Sequence, residues 1–247
     1  MPLLILTVGW RATFAIAALL APVAWLLIAG ETDASPDHSN PRQRAKAPLG
    51  NRRLVVLAVA STLAAWAAVS LGIFLVAASV EAGLTESQGG LLLFGGSVAS
   101  LLARVVAGVI VDRRAGNGFI GVSLMMTAGA GAFALISATA GMTFALAVVL
   151  GFTFGWGWPG LLTYSVVESD PEAAAATSSI TQSGIFLGAG IGPITLGWII
   201  ETWSYRTGWL VITGFLVAAA AIVYSVARQV PDTSPTRSSH PPTGNLR

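Results

Sequence analysis

Arg104 is the residue with the clearest potential for chemistry, because it stands inside a long apolar stretch of the chain. An arginine near the centre of a membrane helix costs roughly 2.5 to 3.5 kcal/mol on insertion scales, so its presence requires a compensating interaction. Small or polar residues share its helical face at i, i+3 and i+4 spacing, namely Ser97, Ser100, Gly108 and Asp112. This polar stripe predicts either a binding site or a structural contact.

Two interpretations of Arg104 stay open. Its guanidinium offers a planar fork of N–H donors that fits the carboxylate or phosphate of an anionic solute. Alternatively, a snorkelling arginine bonds neighbouring helix ends and stabilises a gate near the cytoplasm. Direct pairing with Asp112 is not expected, because the intervening helix separates the two residues by about 12 Å.

Two aromatic faces predict the rest of a solute cavity. One carries Thr62, Trp66, Ser70 and Phe74, and the other carries Thr153, Trp156, Gly160 and Tyr164. Buried Trp and Tyr need partners for their polar atoms, so we expect Trp66, Ser70, Trp156 and Tyr164 to line the cavity, with Gln182 as a further candidate. The alternative is packing between helices, and Trp10, Trp203 and Trp209 are expected to be anchors at the membrane interface.

Enzymatic chemistry finds no support in the residue types. The chain has no cysteine, and its two histidines, His38 and His240, fall in polar segments. The only lysine, Lys46, lies outside the apolar stretches, so a retinal-type Schiff base has no site in a span. We therefore expect no enzyme and no cofactor. Nucleic acid is excluded as a partner, because the basic residues are spread over loops.

The elements that must position these residues are transmembrane helices. With 54% hydrophobic and 10% charged residues, the 247-residue chain matches about seven spans of roughly 20 residues each. The predicted fold is an all-α polytopic transmembrane bundle. The predicted spans are Ala12 to Ala29, Leu54 to Val80, Gly89 to Val111, Gly118 to Ala138, Met142 to Val167, Ala176 to Ile200, and Thr207 to Ala227. The first, fourth and seventh spans lack ionisable residues and are expected to face lipid.

Charge predicts the domain boundaries and the sidedness. Residues 1–29 carry the first span, 30–53 a cytoplasmic linker, 54–228 a six-helix bundle, and 229–247 a disordered cytoplasmic tail. Basic residues concentrate on one side, which places the N-terminus outside and the C-terminus in the cytoplasm of a cell-membrane protein. That side carries Arg42, Arg44, Lys46, Arg52, Arg53, Arg113, Arg114, Arg228, Arg237 and Arg247, against Arg11 and Arg206 opposite.

Three motifs resemble the major facilitator superfamily of transporters. Gly9-Trp10-Arg11 precedes the first span, and the third span with its loop runs from Ser100 through Arg104 and Gly108 to Asp112-Arg113-Arg114 and Gly116. This loop resembles the superfamily's short cytoplasmic signature in its second-half version, but it lacks the further basic residues after the glycine. The sixth span, with Gly184, Gly188, Gly190, Gly192, Pro193 and Gly197, resembles the glycine-rich, proline-broken helix that closes such halves.

The resemblance implies that the chain corresponds to helices six to twelve of a twelve-helix transporter. A missing N-terminal half would then be a partner, or the chain would be a truncated reading frame. The resemblance also implies that Asp112 and Arg113 latch one conformation, for which a solvated loop is the alternative. Gly108 lies on the same stripe, and Gly188, Gly192 and Pro193 are expected to serve helix packing and, through it, gating.

The predicted function is transport of a small organic solute across the bilayer by alternating access. Arg104 favours an organic anion such as a monocarboxylate. The alternatives are a non-transporting membrane fragment or subunit, and an efflux carrier for neutral lipophilic compounds. No predicted span contains Asp, Glu or His, so this part of the protein offers no proton carrier.

Overall fold

Helices account for all the regular structure in the part of the chain that the structure describes. The computed structural model describes residues 52–113 and 117–229, together with Pro22. Within these residues, six helical spans are long and apolar enough to cross a membrane. The all-α transmembrane bundle is therefore confirmed for six of the seven predicted spans. The first predicted span and the C-terminal tail from residue 230 lie outside the described residues, as does most of the linker.

The helix bounds follow the predicted spans closely. The helices are α1 (Arg52–Glu81), α2 (Glu86–Arg113), α3 (Gly118–Ala138), α4 (Gly141–Leu150), α5 (Trp158–Ser169), α6 (Ala174–Thr202) and α7 (Tyr205–Ala227). Most extend two or three residues beyond the predicted bounds, because polar residues at membrane interfaces still complete helical turns. Arg52 and Arg53, at the end of the predicted linker, belong to the first turn of α1.

Short polar turns define several helix starts. Thr85 and Gln88 exchange reciprocal backbone and side-chain hydrogen bonds of 2.8 and 3.2 Å at the start of α2. Such a capping box satisfies amide groups that have no partner in the first helical turn. Asn117 caps α3 with a single bond, in which its side-chain oxygen accepts from the Phe119 amide at 3.1 Å. Asp170 precedes a 3₁₀ turn, Pro171–Ala173, which leads into α6.

The fifth predicted span is interrupted. It consists of α4, a π-helical segment from Gly151 to Gly155, and α5. Pro159 has no amide N–H and so cannot donate to the Gly155 carbonyl four residues earlier. Glycine at 151, 155 and 157 lowers the cost of the irregular backbone, so the sequence itself disfavours a continuous helix here.

The bundle is built on two extensive helix pairs. α1 packs along α6, and α3 packs along α7, while α1 also contacts α7 and thereby joins the pairs. The largest fully buried side chains include Trp158, Trp209 and Phe133. α2 contacts α1 and the π-helical segment, and it makes no comparable contact with α6.

Glycines set the distance between α1 and α6. A Cβ atom at Gly184 or Gly188 would overlap the backbone carbonyl of Ala58 or Thr62, and one at Gly192 would overlap Trp66. The three glycines recur every four residues and so share one face of α6. Close backbone approach through small residues is a common basis of helix association in membranes.

Two sequence predictions about exposure need correction. The fourth and seventh predicted spans do not simply face lipid, because 50% of the apolar stretch of α3 and 39% of that of α7 are buried, against 11% for α2. Both α3 and α7 combine a buried face with an exposed apolar face. The prediction that Trp209 is an interface anchor was wrong, because its side chain is only 2% exposed and packs near Phe133. Trp203, by contrast, is 60% exposed.

Candidate functional site

Arg104 lies on the most exposed helix of the bundle and is itself exposed. Its neighbours on α2 include Leu101, Leu102, Val105 and Val106, all large apolar side chains that are more than half exposed. The guanidinium is therefore surrounded along its own helix by apolar surface. In the polar stripe predicted along α2, Ser97 is exposed, whereas Ser100 is buried. The residues of the stripe therefore do not all lie on the exposed side of the helix.

The interrupted span supplies the partner of Arg104. Trp156 lies between the π-helical segment and α5, so its carbonyl stands outside both helical ladders. The Arg104 guanidinium donates to this oxygen from Nη2 at 3.0 Å and from Nε at 3.3 Å. A carbonyl outside a helical ladder requires a donor when water is excluded. The break in the helix thus leaves an acceptor, and the guanidinium satisfies it.

The Trp156 side chain is held from a third helix. Its indole N–H donates to the carbonyl of Ala68 on α1. The guanidinium carbon of Arg104 lies 5.8 Å from the centre of the Trp156 ring, within the range of a cation–π contact. Trp156 therefore joins α1, α2 and the broken span, and the structure brings together two of the predicted site residues.

A second tryptophan in the break was not predicted to have a role. Trp158 is fully buried, and its indole N–H donates to the Gly155 carbonyl at 2.9 Å. In a regular helix this carbonyl would accept from the amide of residue 159, which proline lacks. The sequence feature that could have indicated this role is a tryptophan directly before a proline in a glycine-rich span.

Trp66 is engaged in helix packing. Its indole N–H donates to the Gly192 carbonyl at 2.6 Å. Its ring also lies 4.3 Å from the Phe215 ring, centre to centre. The indole N–H is the only hydrogen-bond donor of the Trp66 side chain, and it is used between α1 and α6. This agrees with packing between helices, the alternative to a cavity role for Trp66.

The other predicted cavity residues differ in their exposure. Ser70 is fully buried, and its hydroxyl has no hydrogen-bond partner among the described residues. Tyr164 on α5 is 43% exposed. Gln182 is exposed on α6. This helix makes no extensive contact with α2, the helix that carries Arg104. The helix break lies between Thr153 and Tyr164 and changes the helical register there, so their shared cavity face stays a prediction.

The predicted gating residues occupy different surroundings. Asp112 and Arg113 form the last turn of α2, and Arg113 is exposed. Gly108 is also exposed, and a Cβ atom there would meet no other atom within 4 Å. Gly188 and Gly192 pack against α1, and Pro193 follows inside α6. Their gating role stays a prediction, whereas the packing of the two glycines is visible in the structure.

A polar junction that the sequence did not reveal joins the helix ends near Asn117. The Asn117 side chain donates to the Ala227 carbonyl at the end of α7, at 2.8 Å. Close by on α3, the Phe119 ring lies 5.1 Å from the guanidinium carbon of Arg53. The start of α3 thus binds the end of α7 and the start of α1. An Asn at a helix start was a sequence signal for a cap, but not for a second partner.

Metal chemistry has no visible basis in the described residues. Among them, no group of three or more His, Cys, Asp or Glu side chains could hold a metal ion. The site consists of a guanidinium, aromatic rings and backbone carbonyls. Such groups can bind and orient a solute, but none of them is a nucleophile paired with a base.

The fold and site together define a multi-pass helical membrane protein with a discontinuous span beside a membrane-embedded arginine. The family model of the Major Facilitator Superfamily matches residues 55–245. The chain belongs to this superfamily, which is a family of membrane transporters rather than enzymes. No curated protein matches the chain.

Proposed function

We propose that the chain carries a small organic anion, such as a monocarboxylate, across the membrane by alternating access, with Arg104 contacting the anionic group. The supporting observation is the exposed position of Arg104 within a membrane span. Its two bonds to Trp156 use one edge of the guanidinium. An arginine has five N–H donors, so donors remain for an anion.

The broken span supports a transport role for this location. Secondary transporters commonly form their substrate sites from discontinuous helices near the middle of the membrane. Here the interruption at Gly151–Gly155 and the turn at Trp156 lie beside α2. An irregular backbone at this depth is tolerated where protein or an aqueous cavity surrounds it. Arg104 would therefore contact solute from such a cavity.

The exposed surfaces of two helices favour a second helical unit as the partner of this bundle. α2 and α6 are the least buried spans, with 11% and 28% of their most apolar stretches buried. Both carry a polar side chain on the exposed surface, Arg104 and Gln182. Lipid offers these groups no hydrogen bonds, so we expect an aqueous cavity between this bundle and an N-terminal half of the transporter.

Efflux of neutral lipophilic compounds is the second candidate. The hydrogen bonds from Arg104 to the Trp156 carbonyl favour it, because they give the arginine a structural role that needs no anion. In that case the charge would stabilise the helix break and contribute to a gate.

The substitution Arg104→Ala distinguishes the candidates. We expect vesicles containing the full chain to lose uptake of a labelled organic acid by at least about tenfold, since a charged hydrogen bond contributes about 1.5 to 3 kcal/mol. Uptake of a neutral compound of similar size should be unchanged. Arg206→Ala, which removes an exposed arginine at the other end of the bundle, is the matched control. Equal loss of both compounds would reject anion recognition by Arg104.

A further inference from the structure

The geometry around Arg104 points to a positioning role for Trp156. We propose that Trp156 orients the guanidinium for bidentate recognition of a planar carboxylate. The proposal rests on the proposed function and deepens it, because it states how the site selects its anion.

The first step concerns the edge of the guanidinium that is already occupied. Nε and Nη2 both donate to the Trp156 carbonyl, which fixes the lateral edge of the planar group. Nη1 and the second N–H of Nη2 form the terminal edge, which carries two parallel donors. No other hydrogen bond of Arg104 is found among the described residues, and the side chain is exposed. The terminal edge is therefore available to a ligand.

The second step concerns the rigidity of the carbonyl. Trp156 is attached to α1 through its indole N–H and the Ala68 carbonyl. Because its side chain is fixed to α1, Trp156 holds its own carbonyl, and through it the guanidinium, in a defined position.

The third step concerns selectivity. Two parallel N–H groups match the two oxygens of a carboxylate, whereas a point charge attracts any small anion. Orientation of the fork before binding lowers the entropic cost of forming both bonds. Lysine at position 104 could keep the charge, but its ammonium cannot hold the carbonyl and present a planar fork together. Discrimination between carboxylates and chloride therefore depends on the fork and on Trp156.

Binding of propionate to the full chain in detergent, measured by titration calorimetry with chloride as competitor, tests the proposal. Trp156→Phe removes the indole N–H but keeps an aromatic ring. We expect the Kd for propionate to rise about three- to tenfold, because a guanidinium that is no longer oriented must lose about 0.5 to 1.5 kcal/mol of conformational freedom on binding, with little change for chloride. Arg104→Lys should likewise reduce the preference for propionate over chloride while retaining chloride binding. Trp158→Phe is the matched control, because it removes an indole donor in the same break that does not contact Arg104.

The outcomes separate this proposal from the proposed function. Weaker propionate binding in Trp156→Phe but not in Trp158→Phe, with loss of preference over chloride, supports the positioning role. If Arg104→Ala abolishes propionate binding while the two tryptophan variants behave alike, the positioning role is overturned and anion recognition stands. If Arg104→Ala leaves propionate binding unchanged, anion recognition fails and the positioning role fails with it.

Discussion

At the scale of single residues, the chemistry of the bundle depends on how each polar atom is satisfied. Serine and threonine hydroxyls mostly donate to carbonyls of their own helix, as Ser61 does to Leu57 at 2.9 Å. Ser123 is different, because it donates across to the Ala220 carbonyl of α7 at 2.9 Å. Ser70 differs again, as a fully buried hydroxyl without a partner in the described part of the chain. These three surroundings predict different consequences for the same substitution.

Ser123→Ala should destabilise the bundle, and Ser70→Ala should not. The first removes a hydrogen bond between two helices, for which we expect a loss of about 0.5 to 1.5 kcal/mol in the free energy of unfolding. The second removes a desolvated hydroxyl with no partner, so stability should stay equal or rise slightly. Unfolding of each variant in mixed detergent micelles, followed by circular dichroism, measures the difference. A larger loss for Ser70→Ala than for Ser123→Ala would contradict this assignment of partners.

At the scale of elements, the α1–α6 pair forms the most extensive contact among the described helices, and the broken span is the most irregular of the described spans. The glycines of α6 illustrate why equal residues have unequal roles. A Cβ atom at Gly188 would overlap the Thr62 backbone, whereas one at Gly190, two residues further, would meet no other atom within 4 Å. Successive residues point to different sides of a helix, so the sequence motif mixes packing glycines with open ones.

Gly188→Ala is expected to separate α1 from α6 and to lower stability by about 1 to 3 kcal/mol, the usual cost of overpacking. A backbone carbonyl cannot move aside as a flexible side chain can. Gly190→Ala is the matched control and should leave stability unchanged or raise it, because alanine favours the helix. Thermal unfolding of both variants in the same detergent compares them. Equal melting temperatures would show that the pair tolerates a wider separation.

The broken span shows where local sequence rules succeeded. Pro159 and its neighbouring glycines disfavour a continuous helix around Trp156, and the π-helical segment lies there. Propensity could not show which carbonyls the break releases or which side chains bind them. Trp156, Trp158 and Arg104 meet through contacts between separate elements, as shown by the 52-residue separation of Arg104 from Trp156.

At the scale of the whole molecule, the positive-inside bias predicts that the loops after the first, third, fifth and seventh predicted spans face the cytoplasm. Two exposed positions at opposite ends of the bundle can test this. Glu86 begins α2 on the predicted outer side, and Gln229 follows α7 on the predicted cytoplasmic side. The chain has no cysteine, so single cysteines at these positions need no further mutation.

We expect Glu86→Cys in intact cells to react with a membrane-impermeant maleimide, and Gln229→Cys to react only after permeabilisation. The physical reason is that arginine-rich loops are retained on the cytoplasmic side during insertion. Cells expressing the cysteine-free chain give the background. The reverse labelling pattern would overturn the predicted orientation while leaving the helical bundle intact.

The sequence alone determined the membrane class, the six described spans and most of their bounds, because hydropathy and helix-breaking residues act locally. It also identified Arg104 as an arginine inside a span. Only the tertiary structure decided which face each helix buries: Trp66 binds Gly192, Trp209 lies in the core, and Ser70 is enclosed. In a membrane, lipid-facing and protein-facing side chains are equally apolar, so their periodicity carries little information about packing. The contacts between distant segments supply that information.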